Sequence, residues 1–221
     1  MITAEIDSKA DEILTAVNQL FTAGVMSHSG HANLSARLDE STFLITTTGM
    51  VRNLSKNDFA VVDLDGKVLQ GKLDPTNLEI IDMHSIIYRL RAGAGAVIHT
   101  HSPNVLAFAL ANKPLPCRYE ALLRFGQAAD VPVAPWGPRG SKKSIEAIQR
   151  VVEENPDTLS LILANHGLLA FAPSLSATAG LILALEESAE AELAASNIGG
   201  AVNFPEGALE MVRESMSRGH K

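Results

Sequence analysis

The chain has 221 residues, 46 % of them hydrophobic and 19 % charged, a balance that fits one large folded domain or at most two small ones and excludes a disordered protein. Its formal charge of −7 offers no basic stripe, so nucleic acid is not expected as a partner, and a lone cysteine, Cys117, excludes an internal disulfide and a cysteine-based zinc site. The opening stretch MITAEIDSKADEILTAV is too acidic and amphipathic for a signal peptide, and apolar runs such as LSLILA are far shorter than a membrane span. The expectation is a cytoplasmic protein without a membrane partner.

Apolar residues at Ile6, Ala10, Ile13, Leu14, Val17, Leu20 and Phe21 predict a helix over 5–23, ended by Gly24. Short strands are expected at ANLSARL and TFLITTT. FAVVDLDGKVLQG has Asp65-Gly66 between two β-rich arms and reads as a hairpin. Thr76 or Asn77 is expected to cap a helix that runs to about Gly93. GAVIHTH reads as a buried strand, with Ser102-Pro103 opening a helix to about Asn112. Further strands are expected at DVPVAPW, LSLILANHG and GLLAFAPS, with helices at 141–154 and from Ser176 to about Asn197. Residues 1–221 read as a single domain, with a polar tail from about 200 that holds one more short helix. Hairpins mixed with helices favour an α/β fold on a mixed sheet over a pure βαβ array.

Two of the seven histidines, His99 and His101, lie one residue apart at the end of an apolar strand. Side chains alternate along a strand, so both point to one face, where their imidazoles can converge on one metal ion. The alternative is a pair of partly exposed histidines at a strand end. His166 follows a second apolar strand, between Asn165 and Gly167, and either satisfies the turn or supplies a third ligand. Three histidines with an open fourth position is the layout of a catalytic metal site. Glu79, near the start of the preceding helix, is the candidate carboxylate; an ordinary first-turn glutamate is the alternative.

Several segments, in order, resemble the class II aldolase/adducin superfamily, of the L-fuculose-1-phosphate aldolase and L-ribulose-5-phosphate 4-epimerase type. ANLSAR is similar to the family's Gly-Asn-Val-Ser-x-Arg, and ITTTGM to its Ile-Thr-Pro-Ser/Thr-Gly. GKLDPTNLE resembles its Pro-Ser-Ser-Glu segment, AVIHTHS its His-x-His strand, and NHGLLA its His-His-Gly turn. The resemblance runs from about residue 9 to 197. It implies a three-layer α/β/α domain with a central mixed, largely antiparallel sheet. It also implies a divalent metal on His99, His101 and His166, usually Zn2+, with Mn2+, Co2+ or Fe2+ as alternatives. By the same resemblance Glu79 is the acid/base, and Asn33, Thr48, Gly49, Thr76 and Asn77 hold a substrate phosphate. Tyr119 lies near a proton-donating tyrosine that acts across a subunit interface, and the family suggests a homotetramer.

The chain departs from the pattern at Ala32, at Thr47 and between Pro75 and His84, which is longer than in the phosphate aldolases by two positions. If the extra residues follow Glu79, it keeps its role; if they precede it, Ile80 takes that place. Arg52 and Arg124 are cations that could instead pair with a carboxylate substrate, or simply lie on the surface. The leading expectation is a metal-dependent lyase of aldolase type, cleaving a C–C bond of a small hydroxylated keto or sugar-phosphate substrate through a metal-stabilised enediolate. A decarboxylase of a hydroxy-aromatic or keto acid is the alternative, and a non-catalytic adducin-like interaction domain the second.

Overall fold

The structure, a computed structural model, describes residues 4–218, with the side chains of residues 76–78 left aside. Helix α1, Ala4–Thr22, carries the apolar stripe expected for it and buries Ile13, Val17 and Leu20. It closes with Val25 N–H on Leu20 O and Gly24 N–H on Phe21 O, so the terminal carbonyls are satisfied at the expected glycine. Strands β1, Ala32–Arg37, and β2, Thr42–Thr46, follow, then the hairpin of β3, Phe59–Asp63, and β4, Val68–Gln70.

The next segment differs from expectation. Residues Pro75–Ile80 form a 3-10 helix, and α2, Ile81–Leu90, starts only after it, with no side-chain cap. Thr76 and Asn77 therefore sit inside the 3-10 turn and not at the start of the α-helix; their side chains lie outside the described residues.

Strand β5, Ala96–Thr100, leads into α3, Pro103–Ala111, with Pro103 in its first turn. A short α4, Glu120–Arg124, was not expected from sequence. Strand β6 is only Val133–Ala134, followed by α5, Lys142–Glu154, whose cap Ser141 accepts the Ser144 N–H. Strands β7, Ser160–Leu163, and β8, Gly167–Ala172, form a tight hairpin. Then come α6, Leu175–Ala195, capped by Ser174, and α7, Ala208–Arg218.

The eight strands make one sheet in the order β4-β3-β2-β1-β5-β8-β7-β6, antiparallel throughout except for the parallel pair β6–β7. Each face carries a separate apolar core. Ile13, Leu34, Ile98, Leu168 and Ile182 bury one face under α1, α3 and α6. Phe43, Val97, Leu169, Ile87 and Ile148 bury the other under α2 and α5. The result is the α/β/α sandwich the resemblance implied. Strand parity then fixes the site: Val97 belongs to the α2/α5 face, so His99, two residues on, points to that side, and Asn33 and Ser35 of β1 do likewise. Among the described residues no helix is long and apolar enough to cross a membrane.

Candidate metal centre

Strands β1, β5 and β8 lie side by side, and their register places Asn33 opposite His99 and His99 opposite Leu169. His99 is buried one residue before the end of β5, and its Nδ1–H donates to Leu168 O at 2.8 Å. That bond fixes the tautomer and leaves the Nε2 lone pair facing the pocket. His101 lies just beyond the end of β5, and its Nε2 is 3.1 Å from that of His99. His166 comes from the β7–β8 turn, where Asn165 takes a left-handed conformation (φ +57°) and the His166 N–H closes on Leu163 O.

The potential ligand atoms of the three histidines all lie within 4.8 Å of one another. Burial holds the His99 imidazolium well below its usual pKa, with His166 and His101 adding repulsion. Burial likewise lowers His101 to about 4, and it lowers His166, with the Arg139 charge contributing at both. Three neutral imidazoles with nitrogens this close together form a donor set for a divalent cation such as zinc.

Gly167 makes this convergence possible. A Cβ there would stand 2.5 Å from Thr100 O and 2.8 Å from His101 Cδ2, so any larger residue pushes the turn off the β5 end. On the far side of the sheet end, the start of α3 is held by Glu186 of α6. Its carboxylate accepts from Asn104 N at 2.6 Å, Asn104 Nδ2 at 3.0 Å and Val105 N at 3.0 Å. This side chain does the capping that Ser102 does not, and it ties down the backbone just after His101. The sequence offered no sign of it, because the partners are some eighty positions apart.

The histidines line a pocket of about 550 Å3, counting its open mouth, together with Asn33, Gly49, Glu79, Arg139 and Gly140. Glu79 therefore shares a cavity with the cluster. Ile80 borders it too, but as a buried apolar side chain with no proton to move. The Arg139 Nε lies 3.5 Å from Glu79 Oε2, and a Cβ on Gly140 would come within 2.5 Å of the Glu79 Cβ. The Trp136–Ser141 loop thus rests directly on Glu79. No local sequence pattern marks Arg139, whose partner Glu79 lies sixty positions earlier.

Other candidates lie elsewhere. Thr48 accepts the Met50 N–H at 3.2 Å and is not among the residues lining the pocket, whereas Gly49 is. Tyr119 is 39 % exposed and its hydroxyl donates to Glu187 at 3.2 Å, away from the pocket of its own chain. The Glu187 charge raises its pKa. Arg52 lies over the Phe21 ring at 4.3 Å, and Arg124 pairs with Glu120 at 2.7 Å. Neither arginine lines the pocket, so a carboxylate partner there would have to be Arg139.

A three-histidine pocket with a carboxylate at its wall, on this sheet, defines a metal-dependent enzyme of the class II aldolase type. The family model for the class II aldolase and adducin N-terminal domain matches residues 11–193, and the chain belongs to that family. The chain is 28 % identical over 207 residues to a 5-deoxy-D-ribulose 1-phosphate aldolase of Bacillus thuringiensis, covering 93 % of each. It is 32 % identical over 168 residues to an L-fuculose phosphate aldolase of Methanococcus maripaludis, covering 75 % of this chain and 86 % of that one. A solved L-fuculose 1-phosphate aldolase superposes with a TM-score of 0.82 at 25 % identity, over 95 % of this chain and 96 % of the other.

Proposed function

We propose that the protein is a sugar-phosphate aldolase that cleaves a C–C bond in a small ketose 1-phosphate. The observation that carries this reading is the presence of Glu79 in the same pocket as His99, His101 and His166. Bound there, a divalent cation, zinc by the all-imidazole donor set, supplies Lewis-acid polarisation of substrate oxygens. His99 keeps its Nε2 lone pair available because its one proton stays on Nδ1, donated in a hydrogen bond to Leu168 O. The Glu79 carboxylate would accept the substrate hydroxyl proton released as the C–C bond breaks and return a proton to the carbon left behind. Asn33 and Gly49, with Thr48 beside Gly49 and with Thr76 and Asn77 in the same 3-10 turn as Glu79, provide amide, hydroxyl and backbone donors for a phosphate. Tyr119, exposed on its own chain, serves as proton donor to the site of a neighbouring copy in a homotetramer.

The relatives supply the substrates to try: 5-deoxyribulose 1-phosphate and fuculose 1-phosphate, with zinc-loaded protein, reading release of dihydroxyacetone phosphate. Release at a rate that falls away in Glu79→Gln is the expected result; no release from either sugar, with zinc bound, overturns it. Arg139 supports a second reading, since a guanidinium on the pocket wall suits a carboxylate substrate. In that case carbon dioxide is evolved from a keto acid by the same loaded protein.

A further inference from the structure

Behind Asn33 lies a row of buried polar groups that supplies no ligand to the histidine cluster. Ser35 and Asn33 alternate on β1 toward α2, and α2 offers His84 and Tyr88 one turn apart on its buried face. The His84 Nε2 lies 2.6 Å from Asn33 Oδ1, and its Nδ1 lies 2.6 Å from Ser35 Oγ. Ser35 Oγ lies in turn 2.8 Å from the Tyr88 hydroxyl. His84 and Ser35 are wholly buried and Asn33 nearly so.

Such a row has a direction, because each hydroxyl has one hydrogen and a neutral imidazole has one N–H. Burial keeps His84 neutral, lowering its pKa to about 3. The phenol oxygen of Tyr88 is contacted by the Val97 backbone N–H, and burial keeps the phenol protonated. Among the described residues the only acceptor bonded to its hydroxyl is Ser35. Tyr88 therefore donates to Ser35, Ser35 donates to His84 Nδ1, and His84 Nε2–H donates to Asn33 Oδ1. The reverse direction would strand the Tyr88 hydrogen in the core, at a cost of a buried unmade bond. With its oxygen held from behind, the Asn33 amide has its Nδ2 hydrogens left for other partners, on a residue that lines the pocket.

We propose that Tyr88, Ser35 and His84 form a one-way hydrogen-bond chain that sets the Asn33 amide as a donor into the pocket, making His84 a positioning residue for recognition of an anionic oxygen of the substrate. This rests on reading the pocket as a sugar-phosphate site. The direction of the chain is read without any substrate, by nitrogen NMR of histidine-labelled, zinc-loaded protein. A protonated Nε2 and a bare Nδ1 at His84 are expected, and a protonated Nδ1 overturns the proposal.

Its consequence is read by calorimetric titration of inorganic phosphate into wild type, His84→Asn and His84→Gln, with zinc content measured for each. Glutamine can place an N–H near where Nε2 sits, and asparagine cannot. At unchanged zinc content, His84→Asn should bind phosphate more weakly by about tenfold or more, and His84→Gln should stay within about threefold of wild type. Equal affinities in wild type and His84→Asn overturn the proposal. Should wild type take up no phosphate, the sugar-phosphate reading falls, while the tautomer measurement still decides the direction of the chain.

Discussion

The two walls of the pocket are built by different means. The histidine wall is sheet: β5 and the β7–β8 turn, in fixed register, closed by a glycine whose hydrogen faces Thr100 O. The opposite wall is a 3-10 turn and a loop, where Glu79 is about half exposed and is held by Gly140 and by Arg139 at 3.5 Å. Strand register is all-or-none, since a slip of one residue reverses every side chain. A contact between a short turn and a loop is graded, and can shift without unfolding anything. The structure thus separates a histidine wall fixed by strand register from a turn-and-loop wall that carries Glu79.

Substitutions on the two walls should separate in kind as well as size. His99→Ala removes a ligand that is buried and oriented from behind, and should bring the zinc content measured by mass spectrometry down to background. Retained stoichiometric zinc would place the metal elsewhere. Glu79→Gln should leave zinc bound yet lower turnover by about 10²–10⁴-fold, the range of general acid/base catalysis. Gly167→Ala falls between, because it forces the turn away from Thr100 and His101: a loss of about 10–100-fold in zinc affinity is expected, with a lower unfolding midpoint. An unchanged affinity would mean the turn can relax, and the histidine wall is less fixed than its register implies.

Acid should weaken the core behind the metal wall. The folded pKa of His84 lies at about 3 against 6.5 for the free side chain, so its contribution is whole above pH 6.5 and is lost as the pH falls from there toward 3. In urea unfolding of metal-free protein, His84→Gln should reduce the pH slope below 6.5 by at most one proton, about 1.4 kcal/mol per pH unit. Arg139→Ala should be the mildest change, since its pair with Glu79 is long and half exposed: zinc unchanged, and less than about fivefold on turnover if the arginine only neighbours the base. A larger loss confined to carboxylate substrates would favour the decarboxylase reading.

The same division explains how much the sequence disclosed. Alternation alone put His99 and His101 on one face, and the apolar run before His166 brought the third histidine to the same sheet end. The β3–β4 hairpin and the Ser141 cap of α5 were readable because a local signal dictates them. The Pro75–Ile80 turn was not: Thr76 and Asn77 look like caps, but α2 starts at Ile81 with none. Arg139 and Glu186 were missed for another reason. Each acts across the fold, on Glu79 and on the start of α3, and no local pattern marks a residue whose partner is distant in sequence. Arg52 and Arg124 follow the surface alternative, being cations that rest on Phe21 and Glu120 outside the pocket lining.

The pairing of Asn33 with His99 across β1 and β5 has a practical side. One ladder thus carries both a histidine of the cluster and an amide on the pocket wall, so a slip of β1 would move the two relative to each other. Efforts to redirect this enzyme to another substrate should leave β1, β5 and β8 untouched. Diversity belongs in residues 136–141 and in those of 75–80 other than Glu79, where the chain can change what borders the pocket without renegotiating its scaffold.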